Sequence, residues 1–409
     1  MPVRPLLDAF RDPLRQALAV GLGVILVLIA RRPDQLRRPE VWIEEGTVYF
    51  PDYLEHGAAT LAEPVSGYLI TPSKLIHLIG VQVSFEHYPE VSYALAMAVS
   101  VLVALAILRA PTLLPFKAAA ALAPFLIPAR PEVFATAPYI YWHVGLLAPL
   151  ALLWRIDGSH AGWRAGLAAA GGLSSPFAVA LLPLFAIRAL WRRTGADIAT
   201  LLALGAAAAI QISLVAGHNY PFPDLAENLR PLMIIEKYVG DFFINIQGEE
   251  LLSAGLGALA LGAGLFAAVQ ALRRGEMLIP ALIACLAAAI GVSVLRAPTE
   301  LVDAHGNAPR YFYYPFVFIA WITLALFARY ARRRRLIGAV LGLAFLNGLV
   351  EFSQVHPDVD WTGTARACRL AETGEFTFDI HYDGRMNRLW SLTMTAEDCR
   401  RLSRGALFD

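Results

Sequence analysis

Residues 163–190 read WRAGLAAAGGLSSPFAVALLPLFAIRAL, and the way this apolar stretch enters a bilayer fixes the topology of everything after it. A single spanning helix would place Arg192 and Arg193 on the side opposite to the earlier basic residues. Glycine and proline interrupt helices, and a break at membrane depth is tolerated where protein buries it. The Gly-Gly pair at 171–172 and the Ser-Ser-Pro run at 174–176 therefore predict a hairpin of two half-helices, which keeps every basic cluster on one side.

The composition of the whole chain indicates a membrane protein. Of its 409 residues, 57% are hydrophobic and 16% are charged, whereas about 25% are charged in a typical soluble domain. The mean hydropathy is +0.54, and apolar stretches long enough to cross a bilayer recur along the chain. A net charge of +1 gives no basic surface for nucleic acid. The first apolar run lacks a small-residue cleavage site and leads into Arg31 and Arg32, so we interpret it as a retained helix.

The pattern predicts an all-α polytopic membrane protein with about eleven transmembrane helices. Lys and Arg gather in the short loops of one side. This indicates a bacterial cytoplasmic (inner) membrane protein with a cytoplasmic N-terminus and a periplasmic C-terminus. Residues 67–83 are apolar, but Pro72, Lys74 and His77 interrupt them, so we expect an interfacial helix in the first outside loop. The predicted transmembrane helices are 14–30, 91–109, 113–128, 139–154, 163–173, 175–190, 197–216, 251–271, 277–295, 311–328 and 336–351.

Two units follow from this pattern: a transmembrane domain at 1–351 and an outside C-terminal tail at 352–409. The tail stretch EFTFDIHYDG alternates as a β-strand does. Cys368 and Cys399 both lie in the tail, where an oxidising compartment favours a disulfide bond between them; two free thiols are the alternative. Cys285 lies in the middle of a predicted helix and is expected to be a packed core residue. The apolar anchors expected of a small folded tail are Trp361, Phe376, Phe378, Ile380, Tyr382 and Trp390.

The first outside loop carries a candidate for chemistry in the run RPEVWIEEGTVYFPDYLEHG at 38–57. Glu44 and Glu45 stand there among aromatic and apolar residues, including Trp42 and Tyr49. A carboxylate held near a membrane surface among apolar side chains is more basic than one in water. Such a group suits a general base that takes a proton from a sugar hydroxyl. The alternative is a solvated acidic pair at the start of a loop.

Basic residues in the later outside loops are candidates for binding a phosphate. Arg310 lies in AHGNAPRYFYYP at 304–315, and arginine is built to bind phosphate oxygens with two N–H groups. The alternative is an interfacial arginine whose side chain reaches the headgroups beside an aromatic belt. Arg230 and Lys237, in the outside loop 217–250, are candidates to assist Arg310.

Other polar residues on the same side are candidates for contacting a substrate. Most of those in the loop 217–250 have an ordinary surface role as their alternative. His143 has the alternative of a hydrogen-bonded structural residue, and it has no partner at a metal-binding spacing such as HxxxH. The chain contains no GxxxxGK[ST], GxSxG or CxxC motif. The substrate-binding candidates are Tyr49, Glu132, Trp142, His143, His218 and Tyr311.

Taken together, these patterns resemble bacterial membrane glycosyltransferases of the GT-C class, which use polyprenyl-phosphate-linked sugars. The likeness covers nearly the whole chain. It rests on WIEEGTVYF with the following EPVSGYL, on GLSSPF at the tip of the hairpin, on NAPRYFYYP before a late helix, and on the cysteine pair of the tail. It implies inverting transfer of a sugar to a hydroxyl of a cell-envelope glycan, lipid or protein. The first residue of the class's acidic pair is usually the essential one, which implies Glu44 here.

Several points stay open at this stage. Class members more often have at least one Asp in the pair, so the choice between Glu44 and Glu45 is open. Members also differ in their need for a divalent metal, and no second outside acidic cluster makes a metal site compelling, so no cofactor is assigned. One alternative function is a lipid-linked glycan transporter or flippase, which predicts internal repeats and charged residues at mid-membrane depth. The other is a glycan polymerase or ligase of similar architecture.

Overall fold

The computed structural model describes residues 12–155, 160–216, 228–246, 249–297, 303–306, 308–353, 355, 359–381, 389–404 and 406–408. Within them the chain is mostly helical, with one antiparallel pair of strands. The α-helices are α1 (Pro13–Arg31), α2 (Pro33–Arg37), α3 (Phe50–His56), α4 (Thr71–Val83), α5 (Tyr88–Arg109), α6 (Lys117–Leu126), α7 (Ile140–Gly145), α8 (Leu147–Leu152), α9 (Ala161–Ser174), α10 (Phe177–Arg192), α11 (Gly195–Ala216), α12 (Pro231–Ile235), α13 (Asp241–Phe243), α14 (Glu250–Arg273), α15 (Leu278–Arg296), α16 (Tyr313–Arg329), α17 (Arg334–Leu349), α18 (Trp361–Leu370) and α19 (Ala396–Ser403). The strands are β1 (Glu375–His381) and β2 (Leu389–Thr395). Short 3₁₀ or π-helical turns lie at Glu45–Tyr49, Gly57–Ala62, Pro131–Val133, Ala137–Tyr139, Glu236–Gly240, Pro309–Phe312 and Ala331–Arg333.

Six helices in the described part of the chain are long and apolar enough to cross a membrane. The prediction of a helical, multi-pass membrane protein is therefore confirmed, whereas the count of eleven is not. The other predicted spans appear as the shorter helices α6 to α10 and α17. Pro149 accounts for one break, because it has no N–H to bond the carbonyl of Gly145, where α7 ends. The six long helices are Pro13–Arg31, Tyr88–Arg109, Gly195–Ala216, Glu250–Arg273, Leu278–Arg296 and Pro309–Arg329.

The predicted hairpin at 163–190 is confirmed, because its two ends meet. Arg164 near the start of α9 and Arg188 near the end of α10 both bind Oδ1 of Asp197, at N–O distances of 2.6 and 2.8 Å. One continuous helix would hold these two arginines roughly 36 Å apart. The two helices must therefore run in opposite directions, and the chain turns at the Ser-Pro step between them.

The bundle has two ends, which we call the Glu44 end and the basic end. α5 begins at Tyr88, whose hydroxyl donates to Glu45. It ends at Arg109, whose guanidinium donates to the carbonyl of Pro13. A helix of 22 residues is roughly 33 Å long, so these two contacts mark opposite ends of the bundle.

The two ends of the hairpin lie at the basic end of the bundle. Two cavities lie there as well. The backbone N–H of Arg155 bonds the carbonyl of Pro111, two residues beyond α5, and Arg188 donates to the carbonyl of Leu152. The cavities have volumes of about 690 and 520 Å³, and both have Trp154 in their walls. Their other wall residues are mainly apolar and do not include Glu44 or Glu45.

The apolar run at 67–83 forms α4, which is 13 residues long. A crossing needs about 20 residues, so this length agrees with the prediction that the run does not span. Lys74 on this helix is buried, with its ammonium 2.9 Å from Asp52 and 3.0 Å from the hydroxyl of Thr60. The helix is thus packed into the protein as well as short.

The tail forms a small cap on the Glu44 end. The predicted strand is confirmed as β1, and it pairs antiparallel with β2. Cys368 of α18 and Cys399 of α19 form a disulfide bond. The ring of Trp361 stacks on Phe50 at 5.3 Å between centroids, and its Nε1 donates to the carbonyl of Phe85 at 3.1 Å. The cap therefore shares a buried core with the first loop and α4.

Not every predicted anchor of the tail is buried. Trp361, Phe378 and Ile380 are buried, but Trp390 is 39% exposed, so the prediction that it anchors the tail is wrong. Trp390 pairs with Ile380 across the two strands, and Ile380 is buried. Tyr382 lies outside the described residues.

Asp197→Ala should destabilise the bundle, because Arg164 and Arg188 would lose their shared carboxylate while their side chains are only 4% and 15% exposed. Breaking a buried ion pair by removing one partner costs about 3–5 kcal/mol. We expect a clearly lower melting temperature for the purified protein in detergent. Glu55→Ala is the control, since the side chain of Glu55 is 77% exposed and its surface pair with His56 is worth about 0–1 kcal/mol. Equal melting temperatures for the two variants would contradict this role.

Candidate functional site

The acidic pair lies in a tightly packed loop between α2 and α3. Residues Glu45–Tyr49 form a π-helical turn, and Glu44 directly precedes it. Gly46 in this turn is buried against Ile380 of the cap, and a β-carbon at Gly46 would collide with the end of the Ile380 side chain. The cap therefore packs directly on the turn that follows Glu44, and a larger residue at position 46 would require the Ile380 side chain to shift.

Glu45 is fully engaged in hydrogen bonds that hold the loop. Its Oε2 accepts from the backbone N–H of Trp42 at 2.8 Å, and its Oε1 accepts from the hydroxyl of Tyr88. The Tyr88 oxygen also lies 2.9 Å from Nδ1 of His77. Glu45 is 1% exposed, and burial raises its pKa to about 7. These contacts give Glu45 a structural position at the junction of the loop, α4 and α5.

Glu44 is held by one oxygen only. Its Oε1 accepts from the hydroxyl of Tyr139 at 2.6 Å, and that hydroxyl accepts from Nε1 of Trp42 at 3.1 Å. Its Oε2 is buried with no hydrogen-bond partner in the described part of the chain. Burial raises the pKa of Glu44, and the positive charge of Arg310 opposes this rise. The carboxylate thus has one anchored oxygen and one that is available to a ligand.

Arg310 lies beside Glu44 in a second charged pair. Its Nη1 binds Oε1 of Glu132, and its backbone N–H lies 3.4 Å from the other oxygen of that carboxylate. The guanidinium carbon is 5.6 Å from the centroid of the Tyr139 ring and 5.3 Å from that of Tyr311, within cation–π range. The structure thus brings four predicted site residues together around Tyr139, a residue that had no predicted role. The four are Glu44, Glu132, Arg310 and Tyr311.

Trp142 and Tyr49, two further candidates, adjoin this group. The ring of Trp142 lies 4.9 Å from Tyr314 and 6.4 Å from Tyr311, between centroids. Tyr49 is 1% exposed, and burial, followed by the charges of Glu44 and Glu45, raises its pKa. An aromatic surface therefore borders the charged residues.

Tyr68, Tyr141 and Arg296 also belong to this region, although the sequence did not nominate them. The Tyr68 and Tyr141 hydroxyls lie 3.4 Å apart, and the guanidinium of Arg296 lies 5.9 Å from the Tyr68 ring centroid. Tyr68 stands in EPVSGYL, one of the patterns on which the resemblance rests. This pattern could have predicted a role for Tyr68. Arg296 is the last residue of the apolar helix α15, and no sequence motif beside it points to a site.

His143 lies in the core rather than among the site residues. It is fully buried, and its Nδ1 lies 3.0 Å from the hydroxyl of Ser100. Its ring packs edge-on to Phe125 at 5.2 Å and lies 5.2 Å from Tyr313. The structural alternative for His143 therefore fits these contacts better than a substrate contact.

Lys237 and Arg230, which were predicted to assist Arg310, have other surroundings in the structure. Lys237 lies 2.8 Å from Glu236 and 3.6 Å from Asp241, so acidic side chains already neutralise its charge. Arg230 is exposed and directly precedes α12. His218 lies outside the described residues.

Comparison with known proteins gives no relative, since no protein-family model, curated protein or solved structure matches the chain. Within the described ranges, no group of three or more His, Cys, Asp or Glu side chains could hold a metal ion. The function has to be inferred from the geometry around Glu44 and from the sequence patterns.

The pKa of Glu45 should make stability depend on pH. The pKa is about 7 in the folded protein, against an ordinary 4.5, so between these values the folded chain holds a proton that the unfolded chain releases. Rising pH then favours unfolding, and the raised pKa of Glu44 acts in the same direction. We expect the melting temperature in detergent to fall from pH 4.5 to 7, and to fall less in Glu45→Gln.

Glu55→Gln is the control for this experiment. The side chain of Glu55 is 77% exposed, so its removal should leave the pH dependence as in the wild-type protein. A Glu45→Gln variant with the full wild-type pH dependence would show that Glu45 does not hold the extra proton.

Proposed function

We propose that the protein is a glycosyltransferase that moves a sugar from a polyprenyl-phosphate donor to a hydroxyl of a cell-envelope glycan, lipid or protein. The observation that carries the proposal is the state of Glu44. One of its oxygens is anchored by Tyr139, the other is buried without a partner in the described chain, and Arg310 lies beside it. A candidate base and a candidate phosphate-binding group thus share one site.

Glu44, rather than Glu45, is the base in this proposal. Both oxygens of Glu45 accept hydrogen bonds from the protein, whereas Glu44 has one oxygen left for an acceptor hydroxyl. Burial raises the pKa of Glu44, which makes its carboxylate a stronger proton acceptor. The hydrogen bond from Tyr139 fixes its direction.

The reaction then proceeds by direct displacement. Glu44 takes the proton of the acceptor hydroxyl while the hydroxyl oxygen attacks the anomeric carbon of the donor sugar. The bond from that carbon to the phosphate oxygen breaks, and polyprenyl phosphate leaves with the bonding electrons. Attack on the face opposite the phosphate inverts the anomeric configuration.

Arg310 would stabilise the negative charge that grows on the leaving phosphate. Glu132 engages Nη1, and the guanidinium has further N–H groups that suit phosphate oxygens. Glu132 and the Tyr139 and Tyr311 rings hold the guanidinium in place, so little reorganisation is needed when the charge develops.

We also propose a topology in the bacterial cytoplasmic membrane. The N-terminus and the basic end, with Arg109, Arg164 and Arg188, would face the cytoplasm, following the bias of Lys and Arg. The Glu44 end and the cap would face the periplasm, where the Cys368–Cys399 disulfide is stable. About eleven segments would then enter the bilayer, some of them as the short helices α6 to α10 and α17.

Glu44→Gln should abolish most of the turnover while leaving donor binding intact. The amide has nearly the same shape but cannot take a proton at neutral pH, and general-base catalysis contributes about 10²–10⁴-fold. Purified variants should be compared for transfer of labelled sugar from farnesyl-phosphate-linked donors, and separately for binding of those donors.

Glu45→Gln and Glu55→Gln complete this comparison. Glu45→Gln should lose less turnover, because the proposed base Glu44 is retained. Glu55→Gln, at an exposed position, should be unaffected. Wild-type transfer by the Glu44→Gln, Glu45→Gln and double variants would rule out catalysis by the acidic pair.

Arg310→Lys should lower turnover although it keeps the positive charge. Lysine lacks the planar fork that binds two phosphate oxygens, and it would not span Glu132 and the phosphate together. We expect a lower kcat and weaker binding of farnesyl phosphate, with Arg329→Lys at the basic end as the control. Unchanged kinetics in both Arg310→Lys and Arg310→Ala would reduce Arg310 to a membrane anchor.

A further inference from the structure

Two buried hydrogen-bonding atoms of the site region have no partner among the described residues. In the described part of the chain, neither Oε2 of Glu44 nor Nε1 of Trp142 has a partner, and Trp142 is 7% exposed. The hydroxyls of Tyr49 and Tyr314 have the side chains of Ser73 and Ser175 as hydrogen-bonding neighbours, so only the Glu44 and Trp142 atoms count here. Buried tryptophan N–H and tyrosine O–H groups usually find partners. This group of atoms therefore points to a polar ligand.

The other tryptophans show why the position of Trp142 matters. Nε1 of Trp321 donates to the carbonyl of Ala120 at 2.9 Å, which is the ordinary structural arrangement. Trp154 also has an unpartnered Nε1, but it lies at the basic end. Trp142 alone of these three combines an unpartnered Nε1 with a position beside the acidic and basic residues of the site.

We call Tyr49, Tyr141, Trp142 and Tyr314 the aromatic cradle. The Trp142 ring lies 5.4 Å from Tyr141 and 4.9 Å from Tyr314, between centroids. Tyr49 ends the turn that Glu44 directly precedes, and the Trp142 ring lies 6.4 Å from Tyr311, whose ring centroid is 5.3 Å from the guanidinium carbon of Arg310. The cradle thus adjoins both the proposed base and the proposed phosphate-binding group.

We propose that the aromatic cradle binds the ring of the donor sugar and that this sugar is uncharged. The proposal rests on the transferase function and names its substrate class. Aromatic faces suit the C–H face of a sugar ring, and the N–H of Trp142 and the cradle hydroxyls suit its hydroxyl groups. The donor phosphate would then lie against Arg310 and the anomeric carbon near Glu44.

The restriction to an uncharged sugar follows from the chemistry of the cradle. All four of its side chains are uncharged, and the charges of Glu44 and Arg310 stand at its edge. The charged neighbours of the cradle are already engaged, Arg310 by Glu132, Glu44 by Tyr139 and Arg296 by the Tyr68 ring. A carboxylate or ammonium group on the sugar ring would therefore be costly to bury there. A hydroxyl group in the same place would find donors and acceptors.

The test measures binding to the full-length protein in lipid nanodiscs. The probes are farnesyl phosphate and its phosphodiesters with glucose, mannose, galactose and glucuronic acid. Wild-type protein should bind at least one neutral-sugar probe about tenfold more tightly than farnesyl phosphate, and the glucuronic acid probe no more tightly. Trp142→Phe keeps the ring and removes the N–H, so it should lose most of this tenfold gain and keep the affinity for farnesyl phosphate.

Trp154→Phe is the matched control, because it makes the same change at the basic end, and it should bind every probe as the wild-type protein does. Equal affinity of the wild-type protein for farnesyl phosphate and all three neutral-sugar probes would overturn the sugar site. Wild-type affinities in Trp142→Phe would also overturn it. Tight binding of the glucuronic acid probe would overturn the restriction to uncharged sugars. Neutral-sugar binding as expected, without transfer to any acceptor, would refute the transferase function and leave the cradle standing.

Discussion

Carbonyl groups at the ends of broken helices must find hydrogen-bond donors inside the protein, because the hydrocarbon of a bilayer offers none. Arg31 is the clearest case. From the end of α1 it donates to three carbonyls between Phe125 and Ala129, where α6 unwinds. Gln211 does the same at the hairpin, where its amide donates to the carbonyl of Gly172 at 3.1 Å. These side chains make short helices stable in a membrane protein.

The site depends on this same arrangement. The unwound segment that Arg31 supports leads directly into the short turns that carry Glu132 and Tyr139. These residues are the partners of Arg310 and Glu44. If α6 continued without a break, the chain would carry Glu132 away along a helix axis. A buried arginine outside the site thus determines where its acidic and phenolic groups can meet.

Local signals in the sequence predicted local features correctly. Ser-Ser-Pro predicted the turn of the hairpin, and alternation predicted β1, because both patterns act within a few residues. Gly171 and Gly172 do not break the helix; they lie within α9 and pack against Ala148 and Ala207. The count of eleven membrane spans is not confirmed, because α6, α7 and α8 are each shorter than a bilayer crossing. Pro149 is a local reason for the break between α7 and α8, whereas the end of α6 is bonded by the distant Arg31, which no local pattern shows. The sequence predicted the acidic pair as a candidate, but it did not show which carboxylate is held on both oxygens and which has one oxygen available to a ligand. Glu44 and Glu45 are adjacent, yet their partners Tyr139 and Tyr88 are 95 and 43 positions away.

The packing of the cap on the first loop has a consequence for the order in which the chain folds during synthesis. Ile380 covers Gly46, Trp361 covers Phe50, and the backbone N–H of Leu407 bonds the end of α4. A ribosome makes the first loop before it makes these covering residues. The turn that bears the acidic pair can therefore reach its final packing only after the chain has been made as far as the cap, so a shorter nascent chain carries the pair without yet holding it in place.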